Sequence, residues 1–186
     1  MMAKRSTSVL QRIRVPLGFA FAVLFLAFAA PTPLLMAIGI STALMGLLLR
    51  GWSAGHIRKN KEITTSGPYS RTRNPLYLGS FLMGLGFSVA SGVWWLALIF
   101  AVFYLGIYLP VMRIEARELT QSFGDEYRKY AEEVPLFFPR LTAFGDSNRG
   151  FDKDLYMKYR EYQAAIGFAA VTFVLVLKIF LIKYYR

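Results

Sequence analysis

"RNPLYLGSFLMGLGFSVA", Arg73 to Ala90, decides the fold. It opens on a guanidinium, an asparagine and a proline, then runs to Ala90 without another charge. Asparagine is favoured just before a helix and proline at its first position. A helix therefore starts at Asn74-Pro75. The apolar run behind it, Leu76 to Ala90, reads as a bilayer span closed by the Ser91-Gly92 turn.

Outward from this stretch lie four more runs of the same kind. They are Val15–Ala30, Leu34–Leu49, Val93–Met112 and Ala164–Ile182, the last interrupted only by Lys178. Each of the five is roughly 16 to 20 residues, enough to cross the hydrocarbon with little tilt. Over 186 residues the chain is 55% hydrophobic, with a mean hydropathy of +0.40. No soluble domain of this size needs that much apolar surface. The expected fold is all-α: a polytopic integral membrane protein with about five transmembrane helices plus interfacial amphipathic helices.

Three parts follow. Residues 1–50 read as an N-terminal transmembrane hairpin turning at Pro31-Thr32-Pro33. Residues 51–163 form a core of one cytoplasmic loop, two transmembrane helices and an amphipathic connector. Residues 164–186 add a C-terminal transmembrane helix. The first run follows Lys4, Arg5, Arg12 and Arg14, as in a signal peptide, but its length and the poor cleavage context at Pro31–Pro33 make it a retained helix. Small residues Ala37, Gly39, Ser41 and Gly46 in the second span, and Gly79, Gly84 and Gly86 in the third, permit close helix packing.

The formal charge is +11. In a soluble protein this would suggest nucleic acid, but here the basic residues flank the spans. The amino end and the Arg50–Arg73 loop, with Arg58, Lys59, Lys61 and Arg71, are basic, whereas the two proline and glycine turns carry no charge. The positive-inside rule places the amino end and both long loops in the cytoplasm, and odd parity puts the carboxyl end outside. The partners expected are the bilayer, with anionic lipid at its surface, and no nucleic acid. There is no cysteine, hence no disulfide, thiolate nucleophile or thiolate metal site. The single histidine, His56, argues against a histidine-based metal centre.

Segment 113–133 reads as an amphipathic helix. Leu119, Phe123, Tyr127 and Tyr130 recur at helical spacing, Arg117, Glu118, Asp125, Arg128 and Lys129 fall elsewhere, Gly124 bends it, and Pro135 and Pro139 end it. Asp152 is the expected N-cap of a second polar stretch leading to the last span.

The Arg73-Asn74-Pro75 junction also has chemistry. A helix amino terminus offers free N–H groups and a positive dipole end, and Arg73 adds a fork that grips carboxylate or phosphate. At this level it suits the anion of a bound ligand and the phosphate of a lipid equally.

The motif set goes further. Gly67-Pro68-Tyr69, Arg73-Asn74-Pro75-Leu76-Tyr77-Leu78-Gly79, then Glu115, Leu119, Phe123-Gly124, Tyr127 and Tyr130, with Pro135 and Pro139 downstream, resembles the isoprenylcysteine carboxyl methyltransferase family and its broader group, the phospholipid N-methyltransferases. The likeness covers about residues 50–140. Asn74 stands where the isoprenylcysteine enzymes have histidine, and Glu115-Ala116 where they have a pair of glutamates.

The resemblance implies an integral membrane methyltransferase that binds S-adenosylmethionine in a cytoplasm-facing pocket and passes the methyl group to a lipophilic acceptor. The acceptor is an isoprenylcysteine-type carboxylate or a lipid amine. Arg73 and the helix end, Asn74 and Pro75, would then hold the cofactor carboxylate, with Leu78 and Gly79 completing the motif. Glu115 would take the ammonium or ribose, Tyr77, Tyr127 and Tyr130 the adenine, and His56 would face the acceptor, so that Arg73 and His56 stand nearest the chemistry. No metal is implied. An NADPH-dependent sterol-type reductase shares a related motif, but Leu76 and Asn74 replace its asparagine and histidine. A non-catalytic membrane protein on the same helices is the third reading.

Overall fold

The fold is that of a computed structural model describing residues 9–58, 62–145 and 149–185, with side chains from Pro16 onward. Lys4, Arg5, Lys59, Lys61 and Arg186 lie outside the described residues, as do the side chains of Arg12 and Arg14. Among the described residues every regular element is helical: α1 (Val9–Phe28), α2 (Pro33–Ala54), α3 (Pro75–Ala90), α4 (Trp94–Phe123), α5 (Asp125–Glu133), α6 (Lys153–Lys158) and α7 (Tyr162–Tyr184), with one 3-10 turn at Gly67–Ser70. α2, α4 and α7 are long and apolar enough to cross a membrane, while Pro16–Phe28 and α3 are shorter apolar helices. The all-α membrane architecture stands, with the apolar helices in the expected order.

Glycine sets the closest helix pair. A Cβ on Gly39 would fall 2.4 Å from the backbone of Ala90 and Gly86, and one on Gly46 would fall 2.5 Å from the Gly79 carbonyl. α2 and α3 are thus in backbone contact along their length. The expectation of a tight α1–α2 hairpin gives way here: α2 packs mainly on α3, and α1 lies against α4. Only the α2 and α3 faces carry glycines that match. Gly84 points the other way, toward the Phe100 ring of α4.

The connector differs from its expected form. No breaker stands between Met112 and Phe123, so α4 continues unbroken for 30 residues. It stops at Gly124, whose φ of 58° and ψ of −128° lie where a Cβ is disfavoured, and α5 starts at the next residue. Asp152 caps α6 as expected, its carboxylate accepting from the N–H groups of Asp154 and Leu155.

α7 is pinned at both ends. At its start, Arg50 on α2 grips Glu161 with two parallel bonds, Nε to Oε1 at 2.6 Å and Nη2 to Oε2 at 3.0 Å. The remaining Nη1 donates to Ser80 Oγ on α3. Near its other end, Lys178 Nζ donates to the Leu26 carbonyl and, at 3.0 Å, to that of Ala29. Those carbonyls belong to the end of α1, where a cation meets unpaired acceptors and the negative end of the helix dipole. The charge inside the last span is therefore paired with backbone.

An apolar cluster of Phe25, Ala29, Ala90, Leu96 and Leu175 fills the end of the bundle near the two short turns. At the opposite end the segment after α5 runs antiparallel to residues 69–74. Arg73 N donates to Pro135 O, Arg140 N to Arg71 O, and Phe144 N to Ser70 O, all within 3.0 Å. Thr72 Oγ1 reaches Phe137 O at 2.8 Å, and Tyr130 Oη reaches Tyr69 O at 2.6 Å. This strap fixes the loop before α3 against the end of α5.

Candidate functional site

A cleft of about 310 Å³ opens between the end of α4, α5 and Arg73, two residues before α3. Arg73 enters it from the α3 side. Ala116, Arg117 and Thr120 line it from the last turns of α4, and Tyr127, Arg128, Ala131 and Glu132 from α5. Arg73 Nη1 donates to Tyr127 Oη at 3.4 Å, and its Cζ sits 5.9 Å from the centroid of that ring. Arg73 Nε is buried and, among the described residues, has no hydrogen-bond partner. A buried guanidinium N–H without a partner carries a desolvation cost.

Beside the cavity, Tyr77 Oη donates to Glu115 Oε1 at 2.9 Å, joining α3 to α4. Tyr77 is further held through its carbonyl, which accepts from Tyr104 Oη at 2.7 Å. Glu115 precedes the cavity-lining Ala116 by one residue, and its carboxylate turns toward α3.

The proposed site residues therefore separate. Arg73 and Tyr127 meet in one cavity, with Tyr77 and Glu115 bonded to each other alongside it. Tyr130 lies beneath, buried, its hydroxyl spent on the Tyr69 carbonyl, and burial pushes its phenol well above the usual tyrosine range. Pro75 and Leu78 are buried in the helix packing, and Gly79 lies against Gly46 and Arg50. Asn74 occupies the N-cap position but does not cap. Its Nδ2 donates to Leu136 O at 2.9 Å, because the strap offers a carbonyl just where the side chain emerges. The first N–H groups of α3 consequently have no side-chain cap, while the junction is tied to the strap.

His56 is elsewhere. It lines a second cavity, and its Nδ1 and Nε2 face the carbonyls of Trp52 at 2.8 Å and Arg149 at 3.1 Å. A neutral imidazole carries one N–H, so it donates to one of these two carbonyls, and the ring lies in a different cavity from Arg73. Arg117, Thr120, Arg128, Ala131 and Glu132 were absent from the sequence reading of the site, where Arg117 and Arg128 counted only as the polar face of a helix. The signal was present in the spacing of Ala116 with Thr120, and of Tyr127 with Ala131, each one helical turn apart. Among the described residues no three His, Cys, Asp or Glu side chains form a group able to hold a metal.

The chain is similar to three curated proteins. A cobalt-zinc-cadmium resistance protein of Cupriavidus metallidurans is 36% identical over 115 residues, 61% of this chain and 53% of the relative. A nickel-cobalt-cadmium resistance protein of Alcaligenes xylosoxydans xylosoxydans is 37% identical over 112 residues, 59% of this chain and 52% of the relative. A protein-S-isoprenylcysteine O-methyltransferase of Schizosaccharomyces pombe is 26% identical over 143 residues, 74% of this chain and 60% of the relative. The matches thus span about half the length of the first two relatives. No solved structure matches significantly. The phospholipid methyltransferase family model matches residues 24–126, from the end of α1 to the start of α5 and so across Arg73, Glu115 and Ala116. The chain belongs to the phospholipid methyltransferase family.

Proposed function

We propose that this protein transfers the methyl group of S-adenosylmethionine to a lipophilic acceptor at the cytoplasmic face of the membrane. The observation that carries the reading is the Arg73 guanidinium, held by Tyr127 Oη, at a cavity that Tyr127 and Arg117 also line. The residues fit the cofactor: cationic guanidinium groups for its carboxylate, the Glu132 and Glu115 carboxylates for its ammonium or ribose hydroxyls, and the Tyr127 ring for its adenine. A cavity of about 310 Å³ lies within the usual range for small-ligand sites.

When bound, the cofactor supplies a methyl group already activated by its sulfonium. The protein's task is then alignment and the exclusion of water rather than acid–base chemistry. Arg73 fixes the anionic end, with its own position set by the Pro135 carbonyl on its backbone N–H. Tyr77 holds the Glu115 carboxylate toward α3. An acceptor carboxylate needs no base, and an amine loses its proton at some stage of the transfer. The acceptor would come from the bilayer, since the wide apolar faces of α1, α2 and α7 are exposed to it.

Two relatives are named for resistance to metals, which supports a second reading: a membrane component of metal tolerance, compatible with methylation of a membrane lipid. Calorimetry with S-adenosylmethionine and with NADPH on the detergent-purified chain tests the cofactor. Binding of the first alone is expected, and binding of NADPH alone would overturn the proposal. Methyl transfer from labelled cofactor into total lipid, and into a prenylcysteine analogue, then identifies the acceptor class.

A further inference from the structure

The second cavity, about 300 Å³, shares no lining residue with the first and takes Gly67, Ser70 and Arg71 into its wall. Its floor is built. Gly67 has a φ of +59°, and a Cβ there would fall 2.6 Å from the His56 ring, so this position needs glycine. His56 is buried between the two carbonyls described above, and Ser70 is buried with its hydroxyl donating to Gly67 O at 2.7 Å.

The cations sit at its edge. Arg71 has its backbone held on both sides, N to Pro68 O at 3.1 Å and O from Arg140 N at 2.9 Å. Its guanidinium is exposed and, among the described residues, has no hydrogen bond or ion pair. Arg149 pairs with Glu62, but Glu62 is shared with Arg58 at 3.6 Å. One carboxylate thus serves two guanidiniums. The nearby Asp152 carboxylate is directed to the α6 N–H groups instead. Among the described residues a net positive charge remains at the mouth. Trp52 and Phe151, 46% and 51% exposed, flank it. Aromatic rings beside arginine at the end of a membrane helix suit the headgroup layer, where an apolar body meets a wet polar group.

We propose that this cavity binds a phosphate-type anion through Arg71 and Arg149, the phosphodiester of an anionic lipid headgroup being the ligand that also fits its aromatic rim. The site is separate from the methyl-transfer cavity, and the inference does not rest on that function.

The test uses the full chain in phosphatidylcholine nanodiscs carrying fluorescent phosphatidylglycerol at low mole fraction. Arg71→Gln and Arg149→Gln should each weaken the lipid association about five- to tenfold. Lys158→Gln, on the exposed face of α6, removes the same charge and should change it less than about twofold. Arg71→Lys should restore part of the loss. Unchanged thermal unfolding of the Arg71 variants, expected because its guanidinium bonds to no described residue, separates binding from folding. Competition by millimolar inorganic phosphate identifies the source: displacement means that the site takes the free anion, resistance means that it takes the lipid, and both support it. Equal losses for Arg71→Gln and Lys158→Gln would mean diffuse surface charge and overturn the proposal.

Discussion

The guanidinium of Arg73 lies over the ring of Tyr127, with Nη1 3.4 Å from the phenolic oxygen and Nε buried without a partner. Fifty-four residues separate the two in the chain, and the strap through Pro135 brings them together. If Arg73 takes the cofactor carboxylate, Arg73→Ala should weaken S-adenosylmethionine binding about ten- to a hundredfold, the range of a charge-assisted bond in a buried site. Arg58→Ala, remote from this cavity, should leave the affinity unchanged. Calorimetry on both variants decides the matter, and two unchanged affinities would sink the anion-site reading.

Ala116 lines the cavity where related enzymes carry a second glutamate. Ala116→Glu would extend a carboxylate into the space between Arg73 and Arg117, with two cations to receive it. Retained or tighter cofactor binding is expected. Abolished binding would mean that the ligand occupies the volume next to the alanine methyl, so the pocket is shaped differently from its relatives.

The Arg50–Glu161 pair docks α7, since the Glu161 side chain is only 8% exposed and both its oxygens are engaged. Glu161→Ala leaves a partly buried guanidinium uncompensated and should cost about 3 kcal/mol or more. The expected readout is faster proteolysis at the α6–α7 connection together with a lower unfolding midpoint. Lys178→Met should act more mildly, because methionine satisfies the surrounding hydrocarbon and the α1 carbonyls are left near a helix end. Equal effects of the two would show that α7 is not held chiefly at its Glu161 end.

Burial raises the Tyr69 and Tyr130 phenols above the usual value of 10.0; Tyr130 and Glu161 add to the effect at Tyr69, and Tyr127 adds to it at Tyr130. A raised folded value means that the fold favours the neutral phenol. The stability it contributes is complete below about pH 10 and is lost as pH rises toward the folded values. Tyrosinate absorbance from these two should appear only as the protein unfolds. Tyr69→Phe, which removes a hydroxyl with no hydrogen-bond partner among the described residues, should therefore flatten the stability loss between about pH 10 and 12. An alkaline profile identical to that of the unchanged chain would count against this assignment.

Much of the fold was legible because the bilayer imposes long uninterrupted apolar runs, and those are one-dimensional signals. The start of α3 at Pro75, the cap at Asp152 and the end before Pro135 each follow from local backbone preference, whereas Gly124, read as a bend, ends α4 outright. The glycines of the second and third runs announced close packing without saying with whom. Gly39, Gly46, Gly79 and Gly86 chose α3 for α2, and left α1 to α4.

The site was legible in part. Residue chemistry at the α3 junction made Arg73 a candidate for a ligand anion or a lipid phosphate, and the motif set pointed to the methyltransferase family that the chain belongs to. Sequence could not tell which members of the motif face a ligand and which face a helix, because a strap of hydrogen bonds 60 residues away reorients them. That strap turned Asn74 from a cap into a tie, the Tyr130 hydroxyl is spent on Tyr69, and His56 lies in a cavity apart from Arg73. By itself, then, the sequence determined the membrane-embedded helices, their ends and the charged junction, all governed by neighbours within a turn. Only the tertiary structure decided which side chains share a cavity, since that depends on where distant carbonyls and rings claim each polar group first.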